Sequence, residues 1–222
     1  MIQKMSETTY RNDNSLAGLP TEETPTPLPQ NYMLEFKTTT KNSKEYEYRT
    51  HKWNCQNQLN IDDYLTKTRY LFKEGGHIQK NDSKTCGFDI SVTDEFKDAC
   101  NIIYLIVIFG KIIKGGKSKN PLPQRTYGAG TEENWTMKGS PSDTNYVWSQ
   151  IFRECIEKNI PIKFYICKAP ITQVEYPTCE GTTKYIEISP YEEMEKELNS
   201  HLMQVLGKKP IGEGDLLNFD KD

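Results

Sequence analysis

The sequence contains no Cys-x-x-Cys pair, and its three histidines and six cysteines form no cluster with zinc-ligand spacing. That argues against a zinc ribbon and against a thioredoxin-like redox pair. Long apolar runs are also missing. The longest, residues 102–109, is far shorter than the roughly 20 residues needed to cross a bilayer. The opening stretch MIQKMSETTYRNDNS has no apolar core of a secretory signal. The expectation is a protein without membrane spans, its thiols reduced and mostly buried, in an intracellular setting: cytoplasm, or nucleus if eukaryotic or viral. Acidic residues are absent from one long stretch, between Asp98 and Glu132, where Lys111, Lys114, Lys117, Lys119 and Arg125 all stand. In a chain of formal charge −3 this is one concentrated positive site. The overall acidity speaks against a protein that coats nucleic acid, but phosphate binding depends on the nearby field.

The 222 residues are 35% hydrophobic, with a mean hydropathy of −0.75, so a sizeable core is affordable over part of the length only. Residues 1–30 are rich in Ser, Thr, Asn, Pro and Glu and bury too little to offset their ordering entropy; they read as a disordered tail. Residues 31–98 read as an α+β accessory region. Tyr32, Leu34 and Phe36 alternate with polar residues like a half-buried strand, with Tyr46-Glu-Tyr-Arg as its candidate partner. A helix is expected over residues 61–72, capped by Asn60 and stopped by Gly75-Gly76. Phe88, Ile90 and Val92 alternate again. His51 and His77 stand alone and read as surface or structural histidines.

From residue 99 the pattern becomes hairpin, helix, strand, helix. Residues 102–108 are β-branched and strand-like, Phe109-Gly110-Lys111 suits a tight turn, and Ile112-Ile113 open a return strand that Asn120-Pro-Leu-Pro breaks. After a Gly-rich polar loop over 126–144, an apolar helical stripe runs through Val147, Trp148, Ile151, Phe152, Cys155 and Ile156. A strand over 162–167 follows. A loop of about twenty residues comes next, with a short strand near Tyr185-Ile186. A last helix carries Met194, Leu198, Leu202, Val205 and Leu206 and ends at Gly207. Residues 211–222 form an acidic tail.

Gly116-Lys117-Ser118 ends like a Walker A motif. However, the nearest upstream glycine, Gly110, falls one residue too early, and a proline-broken segment follows where a helix should begin. A nucleotide-binding loop is therefore disfavoured.

The same residues fit another pattern. Ile103-Tyr104, then KGGKSKN, then Arg125, resembles the GIY-YIG nuclease superfamily, most closely its restriction-endonuclease-like branch. In that family the first tyrosine lies on one hairpin strand, a GKTKN-like run closes the other, and an arginine follows. Lys114 occupies the place of the second tyrosine and Gly115 replaces the usual isoleucine, a variation seen in restriction-type members. The resemblance implies an α+β fold (an α/β sandwich): a small antiparallel sheet with flanking helices over residues 99–210. It implies a DNA endonuclease that uses Mg²⁺ or Mn²⁺, restriction-like in specificity and open to homodimer formation. Tyr104 would orient or activate water, with Lys114 favouring its phenolate. Arg125 would grip the scissile phosphate, Tyr127 would supply a second hydroxyl, and Lys117 and Lys119 would bind flanking phosphates. Glu195 would be the metal ligand, with Glu192 and Glu197 as neighbours that could replace it. The family's closing Pro-x-x-Asn is met only by Pro210, the next asparagine being Asn218. Base reading would fall to the 126–144 loop, with Asn134, Trp135, Lys138, Ser140 and Asn145. The alternative function is a non-catalytic nucleic-acid-binding module on the same scaffold.

Overall fold

The structure is a computed structural model, and it describes residues 32–42, 45–84, 86–124 and 143–213. The expected tail over residues 1–30 lies outside the described residues. So do Arg125, Tyr127 and nearly all of the expected 126–144 loop.

The fold is mixed α+β. Strands β1 (Met33–Asn42) and β2 (Glu45–Asn54) form an antiparallel ribbon, with Tyr46 opposite Lys41 and Tyr48 opposite Thr39. The main sheet has five antiparallel strands: β3 (Lys73–Lys80), β4 (Phe88–Val92), β5 (Ile102–Ile108), β6 (Lys111–Ser118) and β7 (Ile162–Lys168). Their order is β4-β3-β7-β5-β6, which leaves β6 at an edge. The boundary expected at 98/99 therefore runs through one sheet, because residues from both sides of it pair as β3 and β7.

Each face of the sheet carries its own core. Alternate residues of a strand point to opposite faces, and β5 is buried along its whole length. Ile102, Tyr104, Ile106 and Ile108 pack with Val147, Trp148, Ile151 and Phe152 of helix α2 (Asp143–Glu157), and with Leu34, Phe36 and Trp53 of the β1–β2 ribbon. Ile103, Leu105 and Val107 pack on the other side with Ile61 and Tyr64 of α1 (Ile61–Leu65) and Leu198 and Leu202 of α3 (Tyr191–Leu206). Burial on both faces is why β5 is a continuous apolar run rather than an alternating one. No helix among the described residues is long and apolar enough to cross a membrane.

Two local expectations change. The helix starts at Ile61, and Asn60 does cap it, accepting from the backbone N–H groups of Asp62 and Asp63. It ends at Leu65 rather than at residue 72. Threonines 66 and 68 follow, and such residues bond to nearby backbone groups in place of the helical pattern: Thr66 donates to the Asp63 carbonyl, and Thr68 accepts from the Tyr70 N–H. Gly75-Gly76 is not a stop but lies inside β3, where the Phe96 ring fills the space beside Gly75. The loop expected after residue 168 contains a further hairpin, β8 (Thr172–Pro177) with β9 (Thr183–Ile188).

Candidate active site at the edge of the central hairpin

The β5–β6 hairpin turns through Phe109 and Gly110, both at positive φ (57° and 71°), the backbone signature of a tight type I′ connection. An irregularity follows at once. Ile106 pairs with Lys114 and Val107 with Ile112, so Ile113 is an extra residue on β6. This bulge sets the register beyond it. Gly116 stands opposite Tyr104, Gly115 opposite Leu105, and Lys117 opposite Ile103.

The Gly115-Gly116 pair therefore has a packing role on each face. A Cβ on Gly116 would stand 2.6 Å from Tyr104 Cζ and 2.7 Å from its hydroxyl oxygen. The phenol thus lies flat across the edge strand on the α2 face. A Cβ on Gly115 would meet Asn199 Oδ1 at 2.5 Å and the side chains of Leu202 and Leu198 at 3.2 and 3.3 Å, so α3 presses on this point from the other face. Gly116-Lys117-Ser118 runs as extended strand, not as a phosphate-wrapping loop.

Tyr104 is fully buried, its ring edge-on to Phe164 at 5.8 Å between centroids. It faces Gly116 rather than Lys114. Lys114 is largely buried too, and its ammonium meets Glu213 Oε1 at 3.2 Å. The Gly115 N–H donates to that same oxygen at 3.0 Å. Sequence reasoning missed Glu213, which it put in an acidic tail. The available signal was its offset: Glu213 is the third residue after Pro210, the place of asparagine in the Pro-x-x-Asn ending.

Lys117 points to the α3 face. Its ammonium lies 3.1 Å from Glu195 Oε2 and 3.8 Å from Glu192 Oε1. Hydrogen bonding to the Glu195 carboxylate holds the ammonium above its ordinary pKa. Residues 192, 195 and 199 share one side of the helix, so Asn199 joins this face. Its Oδ1 is buried and has no hydrogen-bond partner among the described residues. Glu197 points elsewhere and accepts from the Tyr70 hydroxyl at 2.7 Å. Lys119 is exposed just beyond the end of β6. The structure thus brings Lys117 to Glu195 and Glu192, and Lys114 to Glu213. It places Tyr104 on the opposite face of the sheet from Glu195 and Glu192, and on the same face as Lys114 and Glu213.

The donor chemistry on the α3 face suits a hard divalent cation. Mg²⁺ is commonly held by one or two carboxylates and keeps several waters, so it needs no dedicated cage. Glu195, Glu192 and the Asn199 oxygen are all oxygen donors of that kind. Among the described residues no three His, Cys, Asp or Glu side chains form a cluster that could hold a metal by themselves.

No protein-family model matches the sequence, and no curated protein does. Among solved structures, the chain is similar to the restriction endonuclease HPY188I in complex with product DNA, at 28% identity and a TM-score of 0.44, over 71% of this chain and 87% of that one. It is also similar to EndoII of bacteriophage T4, at 17% identity and a TM-score of 0.43, over 68% of this chain and 97% of that one.

Proposed function

We propose that the chain is a divalent-metal-dependent DNA endonuclease that binds and hydrolyses a phosphodiester at the edge of β6. The observation that carries this reading is the ion pair of Lys117 with Glu195, with Glu192 beside it. It joins the lysine of the GKTKN-like run to the carboxylates of the last helix, two parts that are far apart in sequence and that the resemblance requires together.

Phosphodiester hydrolysis needs a cation for the phosphate, a deprotonated water and stabilisation of added negative charge. A Mg²⁺ or Mn²⁺ held by Glu195, with Glu192 as the second carboxylate, supplies charge stabilisation and help for the leaving oxygen when bound. Lys117 and Lys119 bind flanking phosphates from the edge strand. Lys117 exchanges its carboxylate partner for phosphate as the nucleic acid arrives. Arg125 grips the scissile phosphate in two-pronged fashion. The resemblance assigns the orientation of the attacking water to Tyr104, whose buried hydroxyl lies over β6 on the opposite face, and to Tyr127. Lys114, anchored by Glu213, fixes the strand at the bulge and adds positive charge there.

A second reading, a non-catalytic nucleic-acid-binding module, is favoured by one observation: Tyr104 has no exposed surface. Supercoiled plasmid incubated with purified protein and Mg²⁺ separates the two. The nuclease reading expects nicking or linearisation that EDTA stops. Glu195→Gln is expected to lower the cleavage rate by at least about a hundredfold while leaving DNA binding intact. DNA bound by the wild-type chain but never cut, with either metal, would leave only the binding module.

A further inference from the structure

On the flank of α3 away from Lys117 lies a cleft of about 640 Å³, between the start of α3, β7 and the segment leading into β3. Its size falls in the range of small-molecule sites. The wall is apolar, built by Leu71, Met194 and Phe96. Leu71, at the lip of the cavity, is 84% exposed and so open to a ligand.

Two exposed cations stand on the rim, Arg69 and Lys168. The Lys168 ammonium lies over the Phe96 ring at 5.2 Å. Neither cation has a carboxylate partner among the described ion pairs, whereas Lys73, which also lines the cleft, is bound to Glu95 at 2.7 Å. Glu197 lines the same cleft and receives the Tyr70 hydroxyl. Burial, reinforced by that carboxylate, pushes the Tyr70 phenol well above its ordinary pKa, so it remains a donor. One hydroxyl cannot fill the lone pairs of a carboxylate, which has about four acceptor sites. The cleft is also lined by Glu95 and Glu193, each bound to a lysine (Lys73 and Lys196), which leaves Arg69 and Lys168 as the cations open to an anion, beside an apolar plate and a residual hydrogen-bond acceptor.

We propose that this cleft binds one nucleotide whose base carries an exocyclic amino group, with the phosphate on Arg69 and Lys168, the base plane on Leu71 and Met194, and the amino group on Glu197. Cytosine, adenine and guanine have such a group and thymine has none. The nucleotide comes either free or as an unpaired residue of a strand. The proposal rests on the nucleic-acid reading only for the strand as a source, and its test involves no cleavage.

The test is calorimetric titration of the full chain with dCMP and dTMP in EDTA, where no metal-dependent cutting can occur. Saturable dCMP binding is expected, with dTMP about tenfold weaker or more, the size of one good base contact. The double variant Arg69→Ala, Lys168→Ala is expected to lose dCMP binding at an unchanged melting temperature, since both side chains are exposed. Glu197→Gln keeps the Tyr70 contact and is expected to remove the preference over dTMP. A DNA hairpin with one unpaired cytosine, competed against dCMP, distinguishes the sources: displacement assigns the strand, and no displacement assigns the free nucleotide. Absence of saturable dCMP binding, equal affinity for the two nucleotides, or full binding by the double variant would each overturn the proposal. A chain that binds dCMP but cuts no DNA keeps this inference and loses the nuclease reading.

Discussion

Two hairpins of similar length sit in this molecule under opposite conditions. β5 pairs with β6 over seven positions and β8 with β9 over six. Every residue of β5 is buried, and every residue of β8 and β9 is exposed. The first is held by packing on both faces. The second has no layer on either face among the described residues. Its register comes from its own ladder and from its turn, where the Thr178 N–H donates to the Thr182 carbonyl at 2.8 Å and the two threonine hydroxyls meet at 2.7 Å. A two-stranded ribbon alone is marginal in water. The candidate site is built on the first hairpin, where burial fixes positions and chemistry needs them fixed.

The largest difference between the hairpins should come from the glycine over which Tyr104 lies. Gly116→Ala puts a methyl 2.6 Å from a ring atom that cannot swing away, because the ring is packed against Phe164 and the α2 core. Overpacking of this kind costs about 3 kcal/mol. Gly115→Ala meets the amide end of Asn199, which can rotate, so a smaller loss is expected. Chemical denaturation of both variants measures the order, and a Gly116→Ala variant as stable as the wild type would mean that Tyr104 does not lie across β6. Tyr104→Phe should not rescue Gly116→Ala, since the clash is with ring carbons as well as the hydroxyl.

A smaller contrast uses one substitution in both places. Ile106→Thr in β5 removes buried methylene and brings a hydroxyl into a fully buried site, at a cost of about 2–3 kcal/mol. Ile186→Thr in β9 acts on a side chain 45% exposed, and a change within about 0.5 kcal/mol is expected from urea unfolding. A large loss from Ile186→Thr would show that the ribbon is covered in solution.

The same contrast explains what the sequence could disclose. The β5–β6 hairpin was legible because an apolar run with β-branched residues, a Phe-Gly turn and a broken return strand are all local features. β8–β9 carries alternation of its own: Val174, Tyr176, Ile186 and Ile188 fall on one side of the ribbon by register. The prolines at 170 and 177 and the absence of any covering element made it read as loop, with only the short strand near Tyr185-Ile186 expected. Long-range pairing was illegible for a different reason. Nothing in residues 73–92 says that they join the sheet of β5, because the choice of β7 as neighbour is made by packing across the whole chain. Within the site, the Lys117–Glu195 meeting was inferable from motif order. Glu213 was not, because its partners Lys114 and Gly115 are distant in sequence and only an offset from Pro210 marked it. The expectation that Lys114 faces Tyr104 failed on register: a two-residue turn at Phe109-Gly110 with Ile108 opposite Lys111 already sets Tyr104 opposite Gly115, and the extra residue Ile113 moves its partner on to Gly116.

The gentlest probe of the two hairpins leaves stability unchanged and reads their thiol surroundings. All six cysteines are free; Cys100 and Cys179 are exposed and the other four are buried. Cys179 lies in the turn that joins β8 to β9. Cys155 lies on the buried face of α2, in the core that covers β5, where burial pushes its thiol up to about 12, and burial pushes Cys55 up to about 11. The thiolate is the reactive form. A raised thiol pKa means that the folded chain holds its proton where the unfolded chain releases it. Native stability should therefore fall as pH climbs past the unfolded value near 9, and these two thiols should stay silent below it. Iodoacetamide at pH 8 followed by mass spectrometry should show Cys100 and Cys179 modified within minutes and Cys55 and Cys155 modified only in denaturant. Cys155 reacting as fast as Cys179 would mean that α2 opens from the sheet far more often than its burial allows, and the rigid face that positions Tyr104 would then be no more ordered than the exposed ribbon.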